Sequence, residues 1–289
     1  MDDHCRAARS ALRIAERDVA NYATGTSPVS SMGLGLEYVD FREYQPFDDA
    51  RHIDWRATAR SPGPDGGYRP IVKVYRAERK TRVALAVDLS ASMLYQSKPK
   101  TLVYALAVIA AVADTLEDTF TLVLSTGRGF EVYGKVKPRD LPHIIASRIC
   151  ASTAPGKATL GEIAARLLAL PRAPVLLVTD YAHSLEDFER SSKTLAASRG
   201  AAYLLVYDWW EVHPPPDALA TLVDPETGSR VHGRLREVYA GIARHVALAR
   251  SRLTSGGSAF MDTCWQKARE DRARLSLLYL KARSLKPPR

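Results

Sequence analysis

Three unbroken apolar runs restrict what this chain can fold into more than any other feature: VALAV at 83–87, VLLV at 175–178 and AYLLVY at 202–207. Each runs on into an aspartate, at Asp88, Asp180 and Asp208. A strand that is apolar on both sides must be covered on both sides. That is the pattern of a parallel sheet with helices on either face, not of a half-wet antiparallel sheet. The intervening segments read as helices over Thr101–Leu116, Leu141–Ile149, Leu160–Leu170 (stopped by Pro171) and Leu185–Ala197, with Gly200 placed to cap the last. Phe120–Leu124 reads as a further strand and Phe130–Tyr133 as a short edge strand. The expected fold class is therefore α/β, a doubly wound and mainly parallel sheet over 82–289.

The flanking segments extend this plan. Residues 209–232, with PPP and DPETG, read as a Pro-rich irregular insertion, followed by a long helix from Leu235 to Leu253. Ser258–Met261 reads as one last short strand, with Asp262 or Thr263 capping a final helix to Ala282. Its Leu275, Leu278 and Leu280 are expected to cover the sheet. Upstream, Ala7, Ala8, Ala11, Leu12, Ala15 and Val19 form one stripe of an amphipathic helix. That helix and a Gly/Ser/Pro loop make an N-terminal segment, 1–32. A smaller module, 33–81, follows, with a strand expected at 71–76.

Composition adds exclusions. The 289 residues are 46% hydrophobic and 25% charged, an ordinary globular balance. The net charge of +9 is concentrated after Arg230. A solvated Arg-rich helical face explains it, with an acidic partner surface as the sharper alternative. No zinc spacing or aromatic-basic interleaving points to nucleic acid. Cys5, Cys150 and Cys264 lack CxxC spacing and read as free thiols in a reducing compartment. The opening MDDHCR has no apolar core like that of a secretory signal. The longest apolar stretch, Leu102–Ala113, is about half of a membrane span and reads as a buried helix. A cytoplasmic protein with no membrane span is expected.

The chemistry is expected where parallel strands end, because ligands bind beyond their carboxyl ends. DLSAS at 88–92 puts a carboxylate and two hydroxyls, Asp88, Ser90 and Ser92, in one turn. These are hard oxygen ligands, suited to one Mg²⁺ or Mn²⁺. Asp180 would add a second carboxylate and Thr159 a further hydroxyl, with Thr153 as runner-up. A plain helix-capping turn is the competing account of the Asp and Ser residues. None of the seven histidines falls in an HxH or HxxxH spacing, and there is no Gly-x-Ser-x-Gly elbow for a serine nucleophile.

The D-x-S-x-S after an apolar strand, a later Thr and a strand-end Asp resemble the metal-ion-dependent adhesion site (MIDAS) of von Willebrand factor A (vWA) domains. Upstream, Gly35, Glu37 and FREYQPFDDARHIDWRATAR at 41–60 resemble the signature that precedes the vWA-like domain in the DUF58 family, as does DPETG at 224–228. The resemblance implies a non-catalytic, metal-dependent interaction protein, chaperone-like, working with a MoxR-type AAA+ ATPase on a client complex. Maturation of a dehydrogenase such as methanol dehydrogenase is one such role. Within the signature, Arg42, Glu43, Asp48, Asp49, Arg51, Asp54, Arg56 and Arg60 are either an internal ion-pair network, the preferred account, or, with Trp55 beside them, a partner-recognition surface. Trp55 is expected to be a packing anchor. Two functions from other classes compete. One is a Mg²⁺-dependent phosphohydrolase of haloacid-dehalogenase-like type, with Asp88 as nucleophile, though its usual second Asp is here Ser90. The other is a basic nucleic-acid-binding protein.

Overall fold

The computed structural model describes residues 3–20, 38–45, 53–60, 69–75, 80–126, 128–152, 156, 158–213, 216–225 and 227–285. The chain divides into two compact units, one of Met1–Gly25 with Lys80–Arg289 and one of Thr26–Arg79.

In chain order the elements are α1 (Asp3–Ala20), β1 (Tyr38–Glu43), α2 (Trp55–Arg60), β2 (Ile71–Tyr75), β3 (Arg82–Asp88), α3 (Lys98–Thr115), β4 (Thr119–Thr126), β5 (Gly129–Val136), α4 (Leu141–Ala151) and α5 (Leu160–Leu168). There follow β6 (Val175–Thr179), α6 (Leu185–Ser198), β7 (Ala201–Val206), α7 (Trp209–Val212), β8 (Leu219–Val223), β9 (Arg230–Arg234), α8 (Leu235–Ser255), β10 (Ala259–Thr263) and α9 (Arg272–Ser284).

The larger unit is built on a six-stranded sheet in the order β10-β7-β6-β3-β4-β5. All neighbours are parallel except β5, which returns antiparallel along β4. The expected α/β, mainly parallel sheet is present. β3 pairs with β4 on one side and β6 on the other, so the order reverses there, and a crevice opens at such a switch point. The register sets Val87 opposite Val178, which brings the ends of β3 and β6 side by side.

The unbroken apolar runs are explained by what lies on the sheet. Ala84 and Ala86 of β3 and Val175 and Leu177 of β6 pack with Leu160, Ile163 and Leu167 of α5, Phe188 and Leu195 of α6, and Val246 and Leu253 of α8. α3 is buried almost all round, from Leu102 to Ala113, as a helix covered by α1, α4 and α9 must be. Leu275, Leu278, Tyr279 and Ala282 of α9 are buried and Leu280 is only partly covered. Arg199 closes the end of α5 by donating to the carbonyls of Leu168, Leu170 and Pro171.

Three expectations need correction. Cys5 and Cys150 are not free: they form a disulfide that ties α1 to α4, 145 residues apart in sequence, and among the described residues only Cys264 is a free thiol. Neither spacing nor motif announces that pair. The segment read as irregular instead carries a β8–β9 hairpin, Leu219–Val223 paired with Arg230–Arg234, closed by the Asp224 amide donating to the Ser229 carbonyl at 2.8 Å. Asp262 is not a helix cap: it lies within β10 and accepts from Tyr181 Oη at 2.6 Å and from Arg250 Nε at 2.8 Å. The final helix begins at Arg272 instead. Among the described residues, no helix is long and apolar enough to cross a membrane.

In the smaller unit, β1 and β2 pair antiparallel. Asp54 caps α2, its Oδ1 accepting from the amides of Arg56 at 3.0 Å and Ala57 at 3.1 Å. The Thr58 hydroxyl accepts from the amide of Ile71 at 2.9 Å and fastens α2 to β2.

Candidate metal centre

β3 delivers Asp88 at its carboxyl end, and the chain then turns through a single 3-10 turn at Ala91–Leu94. The turn forms because the Asp88 carboxylate captures the backbone two residues on: the Ser90 amide donates to Oδ1 at 2.9 Å. This folds Ser90 and Ser92 onto the same side, with their hydroxyl oxygens 3.2 Å apart. All three side chains are buried. The sequence-expected Asp88, Ser90 and Ser92 are thus brought together.

The other Asp88 oxygen is held from β6. The Thr179 hydroxyl donates to Oδ2 at 2.9 Å, and His183 Nε2 lies 3.0 Å from the same oxygen and 2.9 Å from Thr179 Oγ1. Because a carboxylate only accepts, this network puts the imidazole proton on Nε2. Nδ1 is then buried without a hydrogen-bond partner among the described residues. Asp88, Asp180 and His183 each offer a ligand atom within 4.8 Å of the others, and all three are buried.

Asp180, one residue beyond β6, is also fully engaged. Its Oδ1 accepts from the Ala182 amide at 2.9 Å and its Oδ2 from Lys98 Nζ at 2.8 Å. Burial alone would raise its pKa. The Lys98 ammonium outweighs burial, with help from the Ala182 amide and His183, and holds the carboxyl down at about 2. Burial pushes Lys98 toward the neutral form, and Asp180 and Glu211 reverse this and raise its pKa. Asp208, at the end of β7, fixes the approach to α3 by accepting from the Ser97 hydroxyl at 2.6 Å and the Ser97 amide at 3.2 Å.

Thr159 sits apart in role. It is exposed and caps α5 in a reciprocal box: its hydroxyl accepts from the Glu162 amide at 3.2 Å while Glu162 Oε2 takes the Thr159 amide at 2.8 Å. Thr153 lies outside the described residues, as do Asp48, Asp49, Arg51 and the side chain of Arg42. Glu43 is exposed and bridges Arg69 at 3.0 Å. Trp55 is 67% exposed, so it is no packing anchor, and Arg56 beside it is exposed as well.

Sequence reasoning missed Lys98, Thr179, His183 and Glu211. Lys98 carried a usable signal, since a lysine on the first residue of a helix opposes the helix dipole unless carboxylates compensate it. His183 falls in no histidine-pair spacing, because its partners are a carboxylate and a hydroxyl.

The donor set fits a hard divalent cation. A buried carboxylate and two adjacent hydroxyls are oxygen ligands of the kind Mg²⁺ and Mn²⁺ take. The two serine oxygens are 3.2 Å apart, and Asp88, whose carboxylate fixes their turn, has a ligand atom within 4.8 Å of one on Asp180.

Proteins of Mycobacterium tuberculosis and Mycobacterium bovis, both described as uncharacterized, are 26% identical to this chain over 232 residues, which is 76% of this chain and 71% of theirs. Solved structures with a similar course include an aerotolerance-related membrane protein from Bacteroides fragilis. It is 14% identical, covering 70% of this chain and 99% of that one, with a TM-score of 0.46. A vWA protein from Catenulispora acidiphila is 15% identical, covering 73% of this chain and 44% of its own, with a TM-score of 0.37. The sequence profile of the family described as "Protein of unknown function DUF58" matches residues 40–249. Because that match takes in most of its length, the chain belongs to the DUF58 family.

Proposed function

We propose that this protein is a metal-dependent interaction module without catalysis of its own. In this reading Asp88, Ser90 and Ser92 hold one divalent ion, Mg²⁺ or Mn²⁺, and leave a coordination position for a carboxylate of a protein partner. The ion supplies a positive charge that such a carboxylate can complete, a contact strengthened by the dry surroundings. The observation that carries the reading is the grouping of one buried carboxylate and two hydroxyls at the sheet's switch point, with Asp180 beside them on the neighbouring strand.

The surroundings suit a protein partner. A cleft of about 380 Å³, lined by Tyr181, Glu211, Val238, Ile242 and His245 among others, opens at the same edge. Tyr95, just after the Ser90–Ser92 turn, and Trp210, just after Asp208, each leave about half their surface in water. Aromatic rings with one exposed side are what interfaces use as anchors. The exposed Glu43, Trp55 and Arg56 of the smaller unit offer a second contact surface.

The partner we propose is a MoxR-type AAA+ ATPase, the pair acting on a client complex, as DUF58 membership suggests. The test is capture from source-cell lysate on immobilised protein, in Mg²⁺ or in EDTA. An AAA+ ATPase held in Mg²⁺, and released by EDTA or by Asp88→Ala, is the expected result. Retention that ignores both the metal and Asp88 would overturn the metal-dependent contact. No ATPase under either condition would overturn the partnership.

A further inference from the structure

Lys98 is the one side chain at this centre whose presence a metal site does not call for. Its ammonium is 2.8 Å from Asp180 Oδ2 and 2.8 Å from Glu211 Oε1, and its side chain is only 3% exposed. It is not a long arm that happens to reach inward. Lys98 opens α3, its backbone follows a Ser97 held at amide and hydroxyl by Asp208, and Pro99 restricts the next step. The charge is therefore delivered to Asp180 by the backbone course itself. Withdrawing it would leave a buried carboxylate unpaired, which a folded protein strongly resists. The Ala182 amide donates to the other Asp180 oxygen; what separates Asp180 from Asp88, whose oxygens are bonded by the Ser90 amide, the Thr179 hydroxyl and the His183 imidazole, is the ammonium paired with it.

We propose that Lys98 is a built-in cation that satisfies Asp180 in the place where a divalent ion would otherwise draw on it. Asp180 is then no metal ligand, and Asp88, Ser90 and Ser92 are the protein's whole contribution to the ion. The ammonium also repels a second cation held at Asp88, whose ligand atom lies within 4.8 Å of Asp180's. The chain on its own thus holds the metal weakly, and a partner's carboxylate is needed to complete a tight site. This inference rests on the metal reading above, and it assigns the weakness of that site to one residue.

The test is Mn²⁺ affinity by calorimetry on the full chain in four forms: wild type, Lys98→Met, the double variant Lys98→Met/Asp180→Asn, and Asp88→Ala. Lys98→Met frees the Asp180 carboxylate and is expected to tighten Mn²⁺ at least about tenfold. The double variant replaces the Lys98–Asp180 pair by neutral groups of similar shape, a change buried pairs tolerate, and leaves Glu211, a quarter exposed, to water, so it is expected to stay folded even where Lys98→Met does not. Its affinity is expected to match wild type within about threefold. Lys98→Met binding no tighter than wild type would overturn the proposal, as would a double variant that loses more than about tenfold. If wild type, Lys98→Met and the double variant all bind no better than Asp88→Ala, the metal reading itself fails and takes this inference with it.

Discussion

Lys98 Nζ stands 2.8 Å from Asp180 Oδ2 with both side chains out of solvent, which makes an ion pair the fixed centre of the sheet's functional edge. The pair has a pH consequence. Asp180 titrates from 3.8 in the unfolded chain and from about 2 in the folded one. Its contribution to stability is complete above about pH 4 and is lost as pH falls toward 2. Thermal unfolding followed from pH 6 down to pH 2 is expected to show a steep loss below pH 4. The loss should be shallower in Asp180→Asn; identical profiles would contradict the pairing.

Thr159 separates capping from coordination. Thr159→Ala removes a reciprocal capping box and is expected to lower stability by about 1 kcal/mol in urea unfolding. Mn²⁺ affinity should stay at the wild-type value. A large loss of affinity with no loss of stability would show that Thr159 moves to the ion on binding.

Gly256, which ends α8, is a steric requirement rather than a conformational one. A Cβ there would lie 2.6 Å from Ser192 Cβ, on a fully buried residue that also donates to Ser258 at 3.0 Å. Gly256→Ala is expected to lower stability by about 1–3 kcal/mol, the usual range for overpacking. Gly256→Ala/Ser192→Gly should recover most of it; if it does not, α8 and α6 are not closely packed there.

The thiol count tests the tie between α1 and α4. Denatured without reductant, the protein is expected to react with one equivalent of a thiol reagent, from Cys264, and with three after reduction. Three equivalents without reductant would mean that α1 is held by its alanine face and the bonds of Asp18 to Tyr104 and Arg269, with no covalent tie. Cys150→Ser should lower stability by about 2–4 kcal/mol if the bond is formed.

Much of this architecture was legible because it follows from local rules. VALAV, VLLV and AYLLVY could only be strands covered twice, and an aspartate following such a strand stands at a sheet edge. DLSAS folds through its own side-chain-to-backbone bond, so its three oxygens converge without long-range help. What was not legible depends on distant pairing. Lys98 meets Asp180 from 82 residues away, His183 meets Asp88 from 95, and Cys5 meets Cys150 from 145. No periodicity encodes these meetings: the sheet order creates the first two, and the packing of the helices α1 and α4 the third. Asp262 was misread for the same reason, since its partners Tyr181 and Arg250 come from two other elements.

The most direct test of the account is to measure free Mn²⁺ by electron paramagnetic resonance while titrating wild type and Asp88→Ala side by side. One ion bound per wild-type chain, displaced by excess Mg²⁺ and absent in a folded Asp88→Ala, is the predicted result. Equal binding by the two proteins, or none by wild type even with a partner-like carboxylate such as acetate present, would contradict a metal centre at Asp88, Ser90 and Ser92.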